Sequence, residues 1–284
     1  MEISILRTLF HTHLSSLYEE REREAIFFIY IEDQYNIKKQ DYFLNPDVQI
    51  TFEETDIEAL ANGKPIQYVT GKTTFYHLQL SVNSSVLIPR PETEELVATI
   101  QKNSYGLTLL RSYSLKILDL CTGSGAIAIA LAKNIINTEI WATDLSEDAL
   151  KVAKENARAN QVDIHFLQHD ILNDDSSFLP DNLDIIVSNP PYIPLSERIY
   201  LHKNIIHYEP PSALFVPDEN PLVFYDAIAK TAKKNLRKGG TLYFETHEKF
   251  HSELSTMLGD LDFKEITLWN DINGKPRFGS CKKL

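Results

Sequence analysis

The chain has little cysteine, no long apolar run and no excess of positive charge, and each shortage removes a class of protein. Its two cysteines, Cys121 and Cys281, among 284 residues are too few for a disulfide framework. Neither sits in metal-ligand spacing, so we expect no disulfide and no metal. Apolar stretches such as Ala126 to Ala132 fall far short of the ~20 residues of a membrane span. The N-terminus lacks the continuous apolar core of a secretory signal, and a cytoplasmic protein with no membrane partner is expected. The formal net charge of -12 weighs against holding duplex nucleic acid through its phosphates. The first 80 residues hold 13 acidic against 7 basic side chains, so a basic protein is the better-matched partner.

What is present falls into two patterns. Leu6, Leu9, Phe10, Leu14 and Leu17 recur at spacings of three and four, the mark of a helix with one apolar face. Ala25 to Ile31 continue the apolar supply, and Asp56 to Ala61 ends at Asn62-Gly63, a helix stop. Gln67-Tyr68-Val69 and Leu78 to Val82 then read as the two strands of a hairpin. From Lys116 strands alternate with helices, which predicts a mainly parallel sheet covered on both faces. The expected strands are Lys116 to Asp119, Glu139 to Thr143, Asp163 to Leu167, Leu183 to Ser188, Thr241 to Glu245, Phe263 to Trp269 and Arg277 to Cys281. Helices are expected at Ala126 to Asn134, Glu147 to Asn160, Pro221 to Leu236 and His247 to Leu258. Asn273-Gly274 is a turn signal that makes the final strand pair antiparallel. The domain scheme is therefore a helical segment 1–62, a hairpin linker 63–90 and an α/β domain 91–284.

Asp119-Leu120-Cys121-Thr122-Gly123-Ser124-Gly125-Ala126 joins the first of these strands to a helix that is apolar nearly all round. Glycines let such a loop turn sharply and approach a ligand, and the helix start offers unpaired amides. The spacing matches neither Gly-x-Gly-x-x-Gly nor a P-loop, so a diphosphate is not the expected guest. Asp119 beside the loop suits a cation, such as the ammonium and sulfonium of S-adenosylmethionine. Asp144 ends the second strand, where an acid can accept both ribose hydroxyls. Asp170-Ile171 ends the third, with Asp170 placed to accept from an adenine amino group and Ile171 to cover the ring. Each acid also has a plainer role, Asp144 as the residue before the cap Ser146 and Asp170 as a turn former. Three acids on three successive strands beside one glycine loop favour a shared ligand.

The tetrapeptide Asn189-Pro190-Pro191-Tyr192 follows Leu183 to Ser188 directly. Two prolines cannot donate to a ladder, so the strand stops and the backbone turns out stiffly at its carboxyl end. Open α/β sheets place their chemistry at that end. An amide nitrogen is a poor nucleophile because its lone pair is delocalised. Asn189 Oδ1 and the Pro190 carbonyl can each accept one hydrogen of a substrate NH2, orienting it and meeting the positive charge that develops on nitrogen. Tyr192 would lie against the flat group. The plainer reading is a stiff loop with an incidental tyrosine, and its place beside the glycine loop argues against that.

Together the two halves resemble class I S-adenosylmethionine-dependent methyltransferases, with Asn-Pro-Pro-Tyr similar to the amino-methylating branch. Gly63-Lys64-Pro65-Ile66-Gln67-Tyr68-Val69-Thr70-Gly71, then Phe75, then Val86-Leu87-Ile88-Pro89-Arg90-Pro91-Glu92-Thr93-Glu94-Glu95-Leu96 is similar to the linker of the HemK/PrmC family. Those enzymes methylate the side-chain amide of the glutamine in the Gly-Gly-Gln motif of peptide chain release factors. The resemblance implies a Rossmann-like seven-stranded sheet with the last strand antiparallel, a small N-terminal helical domain that binds the protein substrate, and a hairpin linker. It implies S-adenosylmethionine as cofactor, contacted by Cys121, Thr122, Gly123, Ser124, Gly125, Asp144, Ile171 and Asn189, to which the strand-end reading adds Asp170. Asn189 and Pro190 would be catalytic, Asn189 to Tyr192 would hold the glutamine, and class 1 release factors would be the partners. Cys121 stands where the family often has glycine, Ile171 where an aromatic is common, and Pro211 where arginine is frequent. Arg90 either shapes the cofactor entrance or pairs with one of Glu92 to Glu95. The rival functions are an amino methyltransferase of adenine or cytosine and a non-catalytic module that binds a translation factor.

Overall fold

The computed structural model describes residues 1–110, 114–173 and 176–284. It divides into two compact units, one of residues 1–72, 82–84 and 202–208 and the other of residues 73–81, 85–201 and 209–284.

The first unit is helical, with α1 (Ile3–His13), α2 (Glu20–Tyr35), α3 (Lys39–Leu44), α4 (Glu54–Ala61) and α5 (Ile66–Thr70). Leu6, Phe10 and Leu14 of the predicted stripe are fully buried, against Phe27, Tyr30 and Ile31 of α2. Tyr30 brings a polar end into that core, and its hydroxyl donates to Asp56 Oδ2 at 2.7 Å. The expected strand at Gln67 to Val69 is instead α5. The Pro65 carbonyl accepts from the amides of Tyr68 and Val69 at 2.9 and 3.1 Å, closing a helical turn. Ile66 and Val69 pack on the helical core, and this burial outweighs the local strand preference of a three-residue run.

In the second unit the hairpin therefore starts later, as β1 (Lys72–Phe75) and β2 (Leu78–Ser81). Tyr76 and His77 between them both have positive φ, 48° and 64°, as the tightest two-residue hairpin turn requires. The elements that follow are α6 (Pro91–Leu110), β3 (Leu115–Leu120), α7 (Ala126–Asn134), β4 (Thr138–Asp144), α8 (Glu147–Ala159), β5 (His165–Gln168), β6 (Leu183–Ser188) and β7 (Ile193–Pro194). After α9 (Lys203–Tyr208), which belongs to the first unit, come β8 (Phe215–Val216), α10 (Val223–Asn235), β9 (Leu236–Glu245), α11 (His251–Asp260), β10 (Lys264–Asn270) and β11 (Pro276–Lys282).

Seven strands form one sheet in the order β10-β11-β9-β6-β3-β4-β5. β11 runs antiparallel to both neighbours, while β9, β6, β3, β4 and β5 pair in parallel. This is the predicted doubly covered sheet with an antiparallel last strand. Alternate residues face opposite layers. Ile117, Ile185 and Val187 pack with α6 and α7, whereas Leu118, Leu120 and Ile186 pack with α10 and α11. Every residue of β6 is buried as a result, which explains its apolar centre Ile185-Ile186-Val187. Several boundaries differ from expectation: β9 begins at Leu236 rather than Thr241, a short 3-10 turn at Glu248–Phe250 precedes α11, and β5 ends at Gln168 rather than at Asp170. Among the described residues no helix is long and apolar enough to cross a membrane.

Candidate active site

Parallel register brings four loops to one edge of the sheet. Leu120 pairs with Thr143 on one side and Ser188 on the other, and Ser188 pairs with Phe244. Cys121, Asp144, Asn189 and Glu245 therefore emerge side by side at the carboxyl ends of β3, β4, β6 and β9. The strand order turns back between β3 and β6, the position at which open α/β sheets form a ligand crevice.

The glycine loop is held by its neighbours. Thr122 N donates to Thr143 O at 2.9 Å, and Ser188 Oγ donates to Leu120 O at 2.7 Å. Asp144 grips the loop itself, its Oδ2 accepting from Gly123 N at 2.8 Å while Oδ1 accepts from Ser146 N at 2.9 Å. Ser146 also caps α8, its Oγ accepting from Ala149 N at 3.1 Å. A carboxylate oxygen has two acceptor sites, so Asp144 keeps capacity for further donors. Burial nonetheless raises the Asp144 carboxyl above its ordinary range, outweighing these backbone donors. At Gly125 φ is +83°, and a β-carbon would lie 3.0 Å from Ile129 Cδ1 and 3.2 Å from Ala153 Cβ, so a side chain is excluded. A β-carbon at Gly123 would meet nothing within 4 Å, which leaves the backbone open to a ligand.

Cys121 adopts φ +60°, a left-handed conformation that glycine takes without strain. Burial pushes its thiol up, and the charges of Asp144, Asp119 and Asp170 add to the shift, so the three acids converge on this point. Asp119 is fully buried. One oxygen accepts from Thr122 Oγ1 at 2.6 Å; the other makes no full hydrogen bond, although the Ala128 amide at the head of α7 favours its charge. Burial pushes its pKa up to about 7. Asp170 serves its own turn, accepting from Leu172 N at 3.0 Å and Asn173 Nδ2 at 3.1 Å. Ile171 is buried in the core with Leu118 and Leu120. Asn156, which sequence reasoning missed, is buried on α8 and donates to Ser124 O and Ser81 O at 3.0 and 2.9 Å, tying the loop to the hairpin.

The tetrapeptide is held by side chains from far away. Asn189 Nδ2 donates to Thr93 Oγ1 at 3.3 Å, Thr93 Oγ1 donates to Glu245 Oε2 at 2.6 Å, and Tyr192 OH donates to Glu245 Oε1 at 3.0 Å. Glu245 is 1% exposed, and burial raises its carboxyl above the ordinary range despite these donors and the charge of Arg277. Burial and the Glu245 charge push the Tyr192 hydroxyl up in turn, so it stays neutral. Beyond the turn, Ile193 N donates to Leu214 O at 3.0 Å and β7 pairs with β8, pinning the exit.

The segment Arg90 to Glu95 proves to be a distribution point. Arg90 pairs with Glu209 at 2.6 Å rather than with its acidic neighbours. Glu94 accepts from Tyr76 N at 2.9 Å, and Glu95 accepts from Ile272 N at 3.1 Å. Thr93 and Glu245 were not predicted. The available signal was that Glu245 ends an apolar strand in the same way as Asp144.

A family model described as the methyltransferase small domain matches residues 93–214, which contain both the glycine loop and the tetrapeptide. The chain is 44% identical over 282 residues to the release factor glutamine methyltransferase of Flavobacterium psychrophilum, covering 98% of both chains. It is 34% identical over 269 residues to the protein of that name from Bacteroides thetaiotaomicron, covering 93% of this chain and 94% of the relative. Among solved structures, a methyltransferase from Pyrococcus furiosus is 16% identical with a TM-score of 0.51, matched over 81% of this chain and 99% of its own. A Thermus thermophilus 16S rRNA N2 methyltransferase, solved with AdoMet and guanosine, gives 0.52 at 18% identity over 75% of this chain and 50% of its own. These two structures share the sheet that brings the loops together. With near full-length identity added to that shared architecture, the chain belongs to the release factor glutamine methyltransferase family.

Proposed function

We propose that this chain methylates the side-chain amide nitrogen of the glutamine in the Gly-Gly-Gln motif of class 1 peptide chain release factors, with S-adenosylmethionine as donor. The observation that carries the reading is the adjacency, on paired strands, of a glycine loop ringed by acids and an Asn-Pro-Pro-Tyr turn. The residues present fit the cofactor: the backbone at Gly123 is open, and a buried acid, Asp119, has an oxygen short of donors. S-adenosylmethionine, when bound, supplies an electrophilic sulfonium methyl.

The chain's own residues do the rest. Cys121 to Gly125 present backbone to the ligand, Asp144 accepts from ribose hydroxyls, and Asp119 favours a cationic guest. Asp170 and Ile171 border the adenine end. Asn189 Oδ1 and the Pro190 carbonyl accept the two hydrogens of the glutamine NH2, fixing the nitrogen and favouring the charge that develops on it. Pro191 keeps that backbone stiff, and Tyr192 packs against the amide. No strong base is needed, because the proton leaves late. The helical segment 1–62 binds the protein substrate, and the net charge of -12 favours a partner with a basic face. Such a substrate places the enzyme in the cytoplasm.

The test is transfer of labelled methyl to a release factor, to its Gln-replaced variant, to DNA and to ribosomal RNA. Label is expected on the intact factor alone. Label on nucleic acid but not on the factor would overturn the reading in favour of a nucleobase enzyme.

A further inference from the structure

The acceptor side of the site contains a directed chain of hydrogen bonds whose far end is buried and has no place in the chemistry above. Glu245, at the end of β9, takes the Tyr192 hydroxyl on one oxygen and the Thr93 hydroxyl on the other, and Thr93 meets Asn189. The turn after β6 and the start of α6 thus converge on one carboxylate at the end of β9.

We propose that Glu245 and Thr93 are positioning residues that fix which end of the Asn189 amide faces the substrate. An ionised carboxylate can only accept, and a threonine hydroxyl has a single hydrogen. Once that hydrogen is committed to Glu245, only the lone pairs of Thr93 Oγ1 remain for Asn189. Those lone pairs match the NH2 end of the amide and repel the carbonyl end. Nδ2 is therefore held at Thr93 and Oδ1 is the end left for the substrate nitrogen. The single hydrogen of the hydroxyl fixes the amide orientation whichever way nitrogen and oxygen are assigned in the side chain. The inference rests on the amide-methylation reading, in which Asn189 must accept.

Reversing the hydrogen at Glu245 reverses the chain. A protonated Glu245, or a glutamine in its place, can donate to Thr93, whose hydroxyl is then free to donate to Asn189 Oδ1. The amide would turn its NH2 towards the substrate NH2, donor against donor. The groups facing Glu245 are Tyr192, Tyr225 from α10, Arg277 from β11 and Glu92 from α6. Arg277 favours the carboxylate, while burial and Glu92 oppose it. The carboxyl therefore takes up a proton at a higher pH than an ordinary glutamate.

The full chain is assayed with a release factor as Glu245→Gln, Thr93→Val and Thr93→Ser. With both substrates saturating, kcat is expected to fall about 10- to 100-fold in Glu245→Gln and Thr93→Val. Thr93→Ser, which keeps the hydroxyl, should recover most of the loss, and the dissociation constant of S-adenosylmethionine should move by less than about two-fold in all three. In the parent, kcat should decline on the acid side above the ordinary carboxylate range, and Glu245→Gln should lack that limb. Full kcat in Thr93→Val, equal slowness of Thr93→Ser and Thr93→Val, or an unaltered acid limb in Glu245→Gln would each overturn the proposal. Should Glu245→Gln lose its fold, the Thr93 pair decides. Asn189→Ala separates the two levels. If it stays active, the methylation reading fails; if it is dead while Thr93→Val is fully active, only the relay fails.

Discussion

The glycine loop and the Asn-Pro-Pro-Tyr turn end neighbouring strands, yet they are built in different ways. The loop is held mostly by backbone groups and by acids close to it in sequence: Gly123 N to Asp144 spans 21 residues, and Thr122 to Asp119 only 3. The turn is held by side chains from far away, with Asn189 reaching Thr93 across 96 residues and Thr93 reaching Glu245 across 152. Backbone amides have a fixed polarity. A chain of hydroxyl, amide and carboxyl groups does not, and its direction depends on which member is charged. The cofactor side should therefore tolerate substitution with graded losses of affinity, whereas the acceptor side should fail sharply in turnover.

Asn189→Ala gives the largest contrast. It removes the proposed acceptor for the substrate amide, and kcat should fall by about 1000-fold or more while cofactor binding stays measurable by calorimetry. Retained turnover would remove Asn189 from the mechanism and end the contrast. Asp144→Ala deletes the anchor of Gly123 together with the proposed ribose acceptor. Cofactor affinity should drop about 10- to 100-fold, with kcat largely kept at saturating donor, and an unchanged dissociation constant would refute the ribose assignment.

Asp119 gives a pH test. Its native pKa, raised to about 7 by burial, exceeds the unfolded value, so its contribution to stability is present at acid pH and is lost as pH rises towards about 7. A cationic ligand favours the ionised form. Cofactor binding should therefore release a proton at about pH 6 and weaken as pH falls, and Asp119→Asn should abolish both effects. Titrations in two buffers of different ionisation enthalpy measure the proton release directly. The smallest effect is expected from Cys121→Gly. Relief of the left-handed strain, worth about 1 kcal/mol, is set against the lost packing of the thiol, so the thermal midpoint should shift by only a few degrees and cofactor affinity by less than about three-fold.

Much of this was legible in the sequence because it is local. The Gly-rich loop, the start of α7 at Ala126 and the stop of β6 at Pro190 each follow from residues within a few positions of one another. The sheet's parallel core could be read from the apolar run of β6 and the antiparallel end from Asn273-Gly274. The failures were of two kinds. Gln67 to Val69 has the composition of a strand, but Pro65 and the helical core wound it into α5. Asp170 accepts from its own turn, at Leu172 N and Asn173 Nδ2, a tie that needs only neighbouring residues. Thr93 and Asn156 carry no local signal of importance, and the one signal for Glu245, an acid ending an apolar strand as Asp144 does, says nothing of its partners.

By itself, then, the sequence determined the class of sheet, the glycine loop and the Asn-Pro-Pro-Tyr turn, because propensity, proline geometry and glycine freedom act within a few residues. Only the tertiary structure decided what holds that turn. Arg90 meets Glu209 across 119 residues, and Thr93 stands between Asn189 and Glu245 because of strand order and register. Those pairings join groups whose sequence separation says nothing about their distance, and the burial that sets the charge of Glu245 exists only once the layers have closed.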